Sequence, residues 1–115
     1  MAPRLEVPDR DVLATMDVEL ITHDEPWLAT VRAVAVDGLI AEVTWDQAAA
    51  SVTVIVLRGD QVLVRLERES MVSVRVLSSD AGVHFEAVLA SGEVGGTLTV
   101  DVGSTVVVRD ALLRQ

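Results

Sequence analysis

"SVTVIVLRGDQVLVRLERES", residues 51–70, decides the fold class. Val52, Val54 and Val56 recur at every second position, and so do Val62, Val64 and Leu66. Side chains alternate between the two faces of a strand, so period two is the signature of a half-buried β-strand. Between the two runs stands Arg58-Gly59-Asp60, a tight-turn composition. The stretch therefore reads as a β-hairpin. Arg-Gly-Asp also spells a cell-adhesion tripeptide, but Gly and Asp are what the turn itself requires.

The rest of the chain repeats the pattern. "MDVELIT" runs to the turn "HDEP", and "WLATVRAVAV" runs to Asp37-Gly38, the strongest short hairpin signal present. "LIAEVTW" leads to "DQAAA". "MVSVRVL" ends at "SSDAG", "VHFEAVLA" at "SGEVGG" (91–96), and "TLTVDV" and "STVVVR" are divided by Gly103. Connectors this short favour antiparallel neighbours, because parallel crossovers need about a dozen residues. The reading is an all-β antiparallel meander of about nine short strands, a sandwich or a flattened barrel. "SGEVGG" lacks the Lys-Ser/Thr ending of a phosphate loop and reads as a turn. "DALLRQ" (110–115) fits one helical turn. "PDRDVLATM" fits a short helix with Asp9 as N-cap and Val12, Leu13 and Met16 inward.

At 115 residues the chain is sized for a single all-β domain over 1–115, with 1–10 as an N-terminal arm. Half the residues are apolar but only Trp27, Trp45 and Phe85 are aromatic, so Val, Leu, Ile and Ala must build the core. No cysteine occurs, which excludes disulfides, thiol catalysis and cysteine-held metal centres. "MAPRLEVPDRD" contains no apolar leader segment and no apolar run approaches a membrane span, so the expected location is cytoplasmic. All nine basic residues are Arg, a composition expected of a GC-rich bacterial genome. The net charge of −9 argues against nucleic acid or an anionic membrane as partner.

The period-two pattern assigns faces. Val52, Val54, Val56, Val62, Val64, Leu66, Val72, Val74, Val76, Val83, Phe85, Ala87, Leu89, Leu98, Val100 and Val102 form one consistent inner set. The opposite face is only partly polar, since Ile55, Leu57, Leu63, Met71 and Leu77 fall on it. Burying each large aliphatic side chain is worth about 1.5–3 kcal/mol. Contiguous apolar patches are uncommon on soluble monomers, so these residues are expected to be covered. A second copy of the chain is the simplest cover, making Ile55, Leu57, Leu63, Met71 and Leu77 the candidate interface of a two-fold dimer. Internal cover by residues 1–16 or 110–115 is the rival.

Catalytic signatures are sparse. His84 and Glu86 share a strand face, and His23 lies beside Asp24 and Glu25. A metal-dependent enzyme would need His23 and His84 to meet across a sheet. Asp17 and Glu19 share a face but match no calcium-loop pattern. Trp27 and Trp45 are candidate pocket residues or interface anchors. The sequence thus points to a non-enzymatic interaction module acting as a homo-oligomer, with no cofactor. A barrel binding a small apolar ligand in a central cavity is the alternative.

Overall fold

The computed structural model describes residues 5–91 and 94–114. Among these residues nine strands follow a short helix, α1 (Arg10–Leu13). They are β1 (Glu19–Thr22), β2 (Leu28–Val34), β3 (Ile40–Asp46), β4 (Ser51–Arg58), β5 (Gln61–Arg68), β6 (Met71–Ser79), β7 (Gly82–Ser91), β8 (Val94–Val102) and β9 (Val106–Arg114). The first five make one antiparallel meander and the last four another, each in chain order. The expected nine-stranded all-β architecture is therefore present, as two separate sheets rather than a closed barrel. No described helix is long and apolar enough to cross a membrane.

The core lies between the sheets. Ala29, Val31, Ala41, Val43, Trp45, Val52 and Val54 supply one side, and Val74, Val76, Phe85, Ala87, Leu98 and Val100 the other. The chain changes sheet at Glu69-Ser70. Ser70 sits in the left-handed backbone region, and the next residue, Met71, donates its N–H to the carbonyl of Ala50, which is left-handed too.

Two β-bulges correct the face assignment. Between β4 and β5, Val56 faces Val64 but Leu57 faces Val62, so Leu63 is the extra residue. Residues opposite one another share a face. Val62 therefore joins Leu57 on the outer side instead of Val56 on the inner side. Between β6 and β7, Met71 faces Leu89 while Ser73 faces Val88, so Val72 is the extra residue. Met71 is thereby turned into the core and Val72 is only half-buried. A bulge adds one residue to one strand and shifts every side chain beyond it by one position. Counting by twos misses it.

Val64 also departs from expectation. It keeps its inward-facing register opposite Val56, yet it is 36% exposed, because β5 is the last strand of its sheet and has no described neighbour beyond it.

The termini of the described chain behave differently from one another. Asp9 caps α1 by accepting the Asp11 N–H at 3.0 Å, as expected, and Leu13 is buried, but Val12 points to solvent. Ahead of the helix, the arm lies parallel against the free edge of β6. The Glu6 N–H donates to Val72 at 3.0 Å and the Glu6 carbonyl accepts from Val74 at 2.8 Å. Leu5 enters the core, and Gln47 donates to its carbonyl. The expected helical turn at 110–115 is strand instead: residues Asp110 to Arg114 pair with Leu98 to Val94. Of the expected turn at 91–96, Ser91 is the last residue of β7 and Val94 to Gly96 belong to β8, with Ser91 opposite Val94, while Gly92 and Glu93 lie outside the described residues.

Candidate functional site

The outer face of the five-stranded sheet is ordered in rows. Ile21, Thr30, Thr44, Thr53 and Glu67 stand side by side across the strands, then Glu19, Arg32, Glu42, Ile55 and Arg65, then Val34, Ile40, Leu57 and Val62. Apart from Ile21 the first row is polar, and Thr30 within it is hydrogen-bonded on both sides. His23 Nε2 and Thr30 Oγ1 are 2.9 Å apart, and Thr30 shares a 2.7 Å hydrogen bond with Thr44. The second row is charged except at Ile55, with Arg32 and Glu42 at 3.2 Å. The third is aliphatic throughout.

That aliphatic row runs to the sheet edge. There β5 shows three successive apolar residues to solvent: Val62 is 53% exposed, Leu63 46% and Val64 36%. The bulge points Val62 outward and leaves Leu63 unpaired, and the edge position of β5 leaves Val64 on the rim of the core. At the other end of the row Val34, the last residue of β2, is exposed, and so is Val36 on the β2–β3 turn. Val36 and Asp37 donate their N–H groups to Gly103 and Ser104 of the β8–β9 turn, at 2.9 and 3.1 Å. The Thr105 hydroxyl and the Leu39 N–H donate to the Asp37 carboxylate and hold its pKa below the ordinary value, with a further contribution from the charge of Arg58.

Where the other predicted residues stand follows from the two-sheet topology. Ile55 and Leu57 are half-buried on this outer face and Leu63 lies at its edge. Met71 is in the core and takes no part in the surface. Leu77 is exposed on the outer face of the other sheet, beside His84, Asp101 and Val107. The five residues expected to form one patch are thus divided among two opposite faces and the core, because β5 and β6 belong to different sheets. Trp45 is a core residue, 3% exposed, and lines neither pocket nor surface; Trp27 is exposed on the turn before β2. Val34, Ile40 and Val62 complete the aliphatic row with Leu57; periodicity puts Val62 on the inner face and singles out neither Val34 nor Ile40. Only the strand register places them together.

His23 and His84 lie on the outer faces of different sheets, so they cannot share a metal ion or a substrate. His84 Nδ1 is 2.6 Å from Asp101, and Glu86 faces Arg75. No group of three or more histidines and carboxylates is arranged to hold a metal among the described residues. The space between the sheets is filled by side chains. The gap bounded by Arg68, Met71, Leu98 and Asp110 holds about 10 Å³, room for no more than about one water molecule and for no ligand. The larger recesses open to solvent, such as the groove of about 410 Å³ between the arm and β6.

No family model matches the chain, and no curated protein matches it in sequence. Among solved structures it is similar to a chain of the contact-dependent growth inhibition toxin–immunity protein complex from Klebsiella pneumoniae 342. The TM-score is 0.78 at 10% identity, over 95% of this chain and 97% of that one. At that identity the likeness is one of fold.

Proposed function

We propose that this chain is a non-enzymatic protein-interaction module that associates with a second copy of itself through the β5 side of its five-stranded sheet. The observation that carries this reading is the run of Val62, Leu63 and Val64, three aliphatic residues exposed in succession on an edge strand. Long exposed apolar edges invite pairing, and folded proteins usually blunt them. Here the β6 edge is blunted by the arm, whereas β5 has no such cover among the described residues. A chain of the same fold and nearly the same extent is part of a toxin–immunity protein complex, which supports a role in protein contact for this architecture.

A second reading, a partner other than itself, is favoured by the aliphatic row leading away from β5 through Leu57 and Ile40 to Val34. With a net charge of −9, such a partner would be basic. Solution mass separates the two. The self-associating reading expects a dimer at high micromolar concentration that Leu63→Asp dissociates. A chain that stays monomeric there rejects self-association and leaves the second reading.

A further inference from the structure

We propose that two copies join edge to edge along β5, antiparallel about a two-fold axis at Leu66, so that each five-stranded sheet continues into the other. This rests on the self-association reading and gives it a register.

The ladder between β5 and β4 is regular only from Val64, opposite Val56, to Arg68, opposite Val52. The bulge at Leu63 ends it on one side, and the strand itself ends at Arg68 on the other. A template of five residues remains, with Leu66 at its midpoint. When a strand pairs with its own copy about an axis perpendicular to the sheet, facing residues must come from the same sheet face. Centred on Leu66, Leu66 faces its counterpart and Arg65 faces the second copy's Glu67, twice over. Within one chain Arg65 and Glu67 already approach to 3.9 Å on the outer face. In the pair the four charges alternate around the axis, each beside two of opposite sign.

Neighbouring registers lose this. A centre at Arg65 or at Glu67 sets like charges directly opposite, which is destabilising. A centre at Val64 draws the bulge into the ladder and sets Arg65 against Leu63. Centred on Leu66, the second copy also covers what is exposed. Val64 meets the stem of the second copy's Arg68, and Leu63 and Val62 meet its Glu69-Ser70 turn.

The test is the dimer dissociation constant of the full chain by sedimentation, for the parent, Arg65→Glu, Glu67→Arg and an equimolar mixture of the two variants. Circular dichroism confirms that each variant is folded. Each variant alone opposes like charges, and its dissociation constant should rise about fivefold or more. The mixture restores opposite signs at every facing position and should form a heterodimer as tight as the parent dimer. Glu67→Arg is decisive, because it takes the net charge from −9 to −7. Overall repulsion alone predicts tighter association for it, and that result would overturn the proposal. A dimer that Leu63→Asp dissociates but neither charge variant weakens rejects the edge register and leaves self-association standing. A parent that is monomeric across the range rejects both.

Discussion

Arg68 on β5 and Asp110 on β9 form an ion pair that ties the last strand of one sheet to the last strand of the other. Both side chains are about a quarter to a third exposed, and Arg68 also donates to the Glu67 carbonyl at 2.9 Å. The pair closes the sandwich over Met71 and Leu98. Asp110→Asn removes the charge and leaves the partly buried guanidinium only a neutral amide oxygen as acceptor. The expected loss is about 1 kcal/mol, after allowing for solvent screening. It is read as a lower urea midpoint at unchanged slope; an unchanged midpoint would mean that apolar contacts alone hold this side.

Val54 and Val64 are equivalent by sequence pattern and unlike in the structure. Val54 is 1% exposed in the centre of its sheet, while Val64 sits on the rim. Val54→Asp buries an unpaired charge and should abolish folding at room temperature, a cost above about 4 kcal/mol. Val64→Asp should cost about 1 kcal/mol or less. Thermal melts of the two variants compare them directly, and equal losses would contradict the rim position of Val64.

Gly82 and Gly38 both have positive φ, but only one is enclosed. A Cβ at Gly82 would lie 2.0 Å from the Val102 carbonyl oxygen, whereas nothing lies within 4 Å of one at Gly38. Gly82→Ala must push two paired strands apart and should cost more than about 3 kcal/mol. Gly38→Ala carries only the strain of its backbone angle, about 1 kcal/mol. A denaturant series on both variants checks the order.

Asp37 gives the fold an acid-sensitive contact. Its folded pKa is depressed by the Thr105 hydroxyl and the Leu39 N–H. A carboxyl with a lowered folded pKa adds stability that is fully present above its unfolded value, about 3.9, and is lost as pH falls through the folded value. Parent stability should therefore fall below about pH 4 more steeply than that of Asp37→Asn. Thr105→Ala should flatten the same limb. Stability measured between neutral pH and pH 2 reads both, and parallel curves for parent and variants would reject the contact.

How much of this was legible in the sequence depends on where the period of two survives. A run for each of the nine described strands was, because the alternating runs are bounded by Gly, Asp and Ser turns, but the start of β8 at Val94 to Gly96 was read as turn and the end of β9 at Asp110 to Arg114 as helix. The short helix was legible from Asp9. Val62, Val72 and Met71 were misplaced for one reason: a bulge adds a residue without a composition of its own. The interface residues failed as a set for another. A nine-strand meander carries no local sign of where it leaves one sheet for the next, and that step at Glu69-Ser70 is what sends Leu77 to the opposite face from Leu57. The landing place of Glu6 on β6 was not legible, since one bridge of backbone hydrogen bonds leaves no side-chain pattern.

That landing place has a kinetic consequence. Leu5 lies in the core and Glu6 pairs beside Ser73, so the arm's binding site does not exist until β6 has formed. The chain must hold its own beginning in reserve while more than half its length assembles. Closing so long a loop is entropically costly, and few contacts reward it, so the arm belongs among the last segments to dock and the first to leave. Until it docks, β6 presents a free edge of its own, and a folding intermediate carries two sticky strands where the finished molecule carries β5. Refolding at high concentration is therefore the condition in which wrong pairings through β6 compete with the right one through β5.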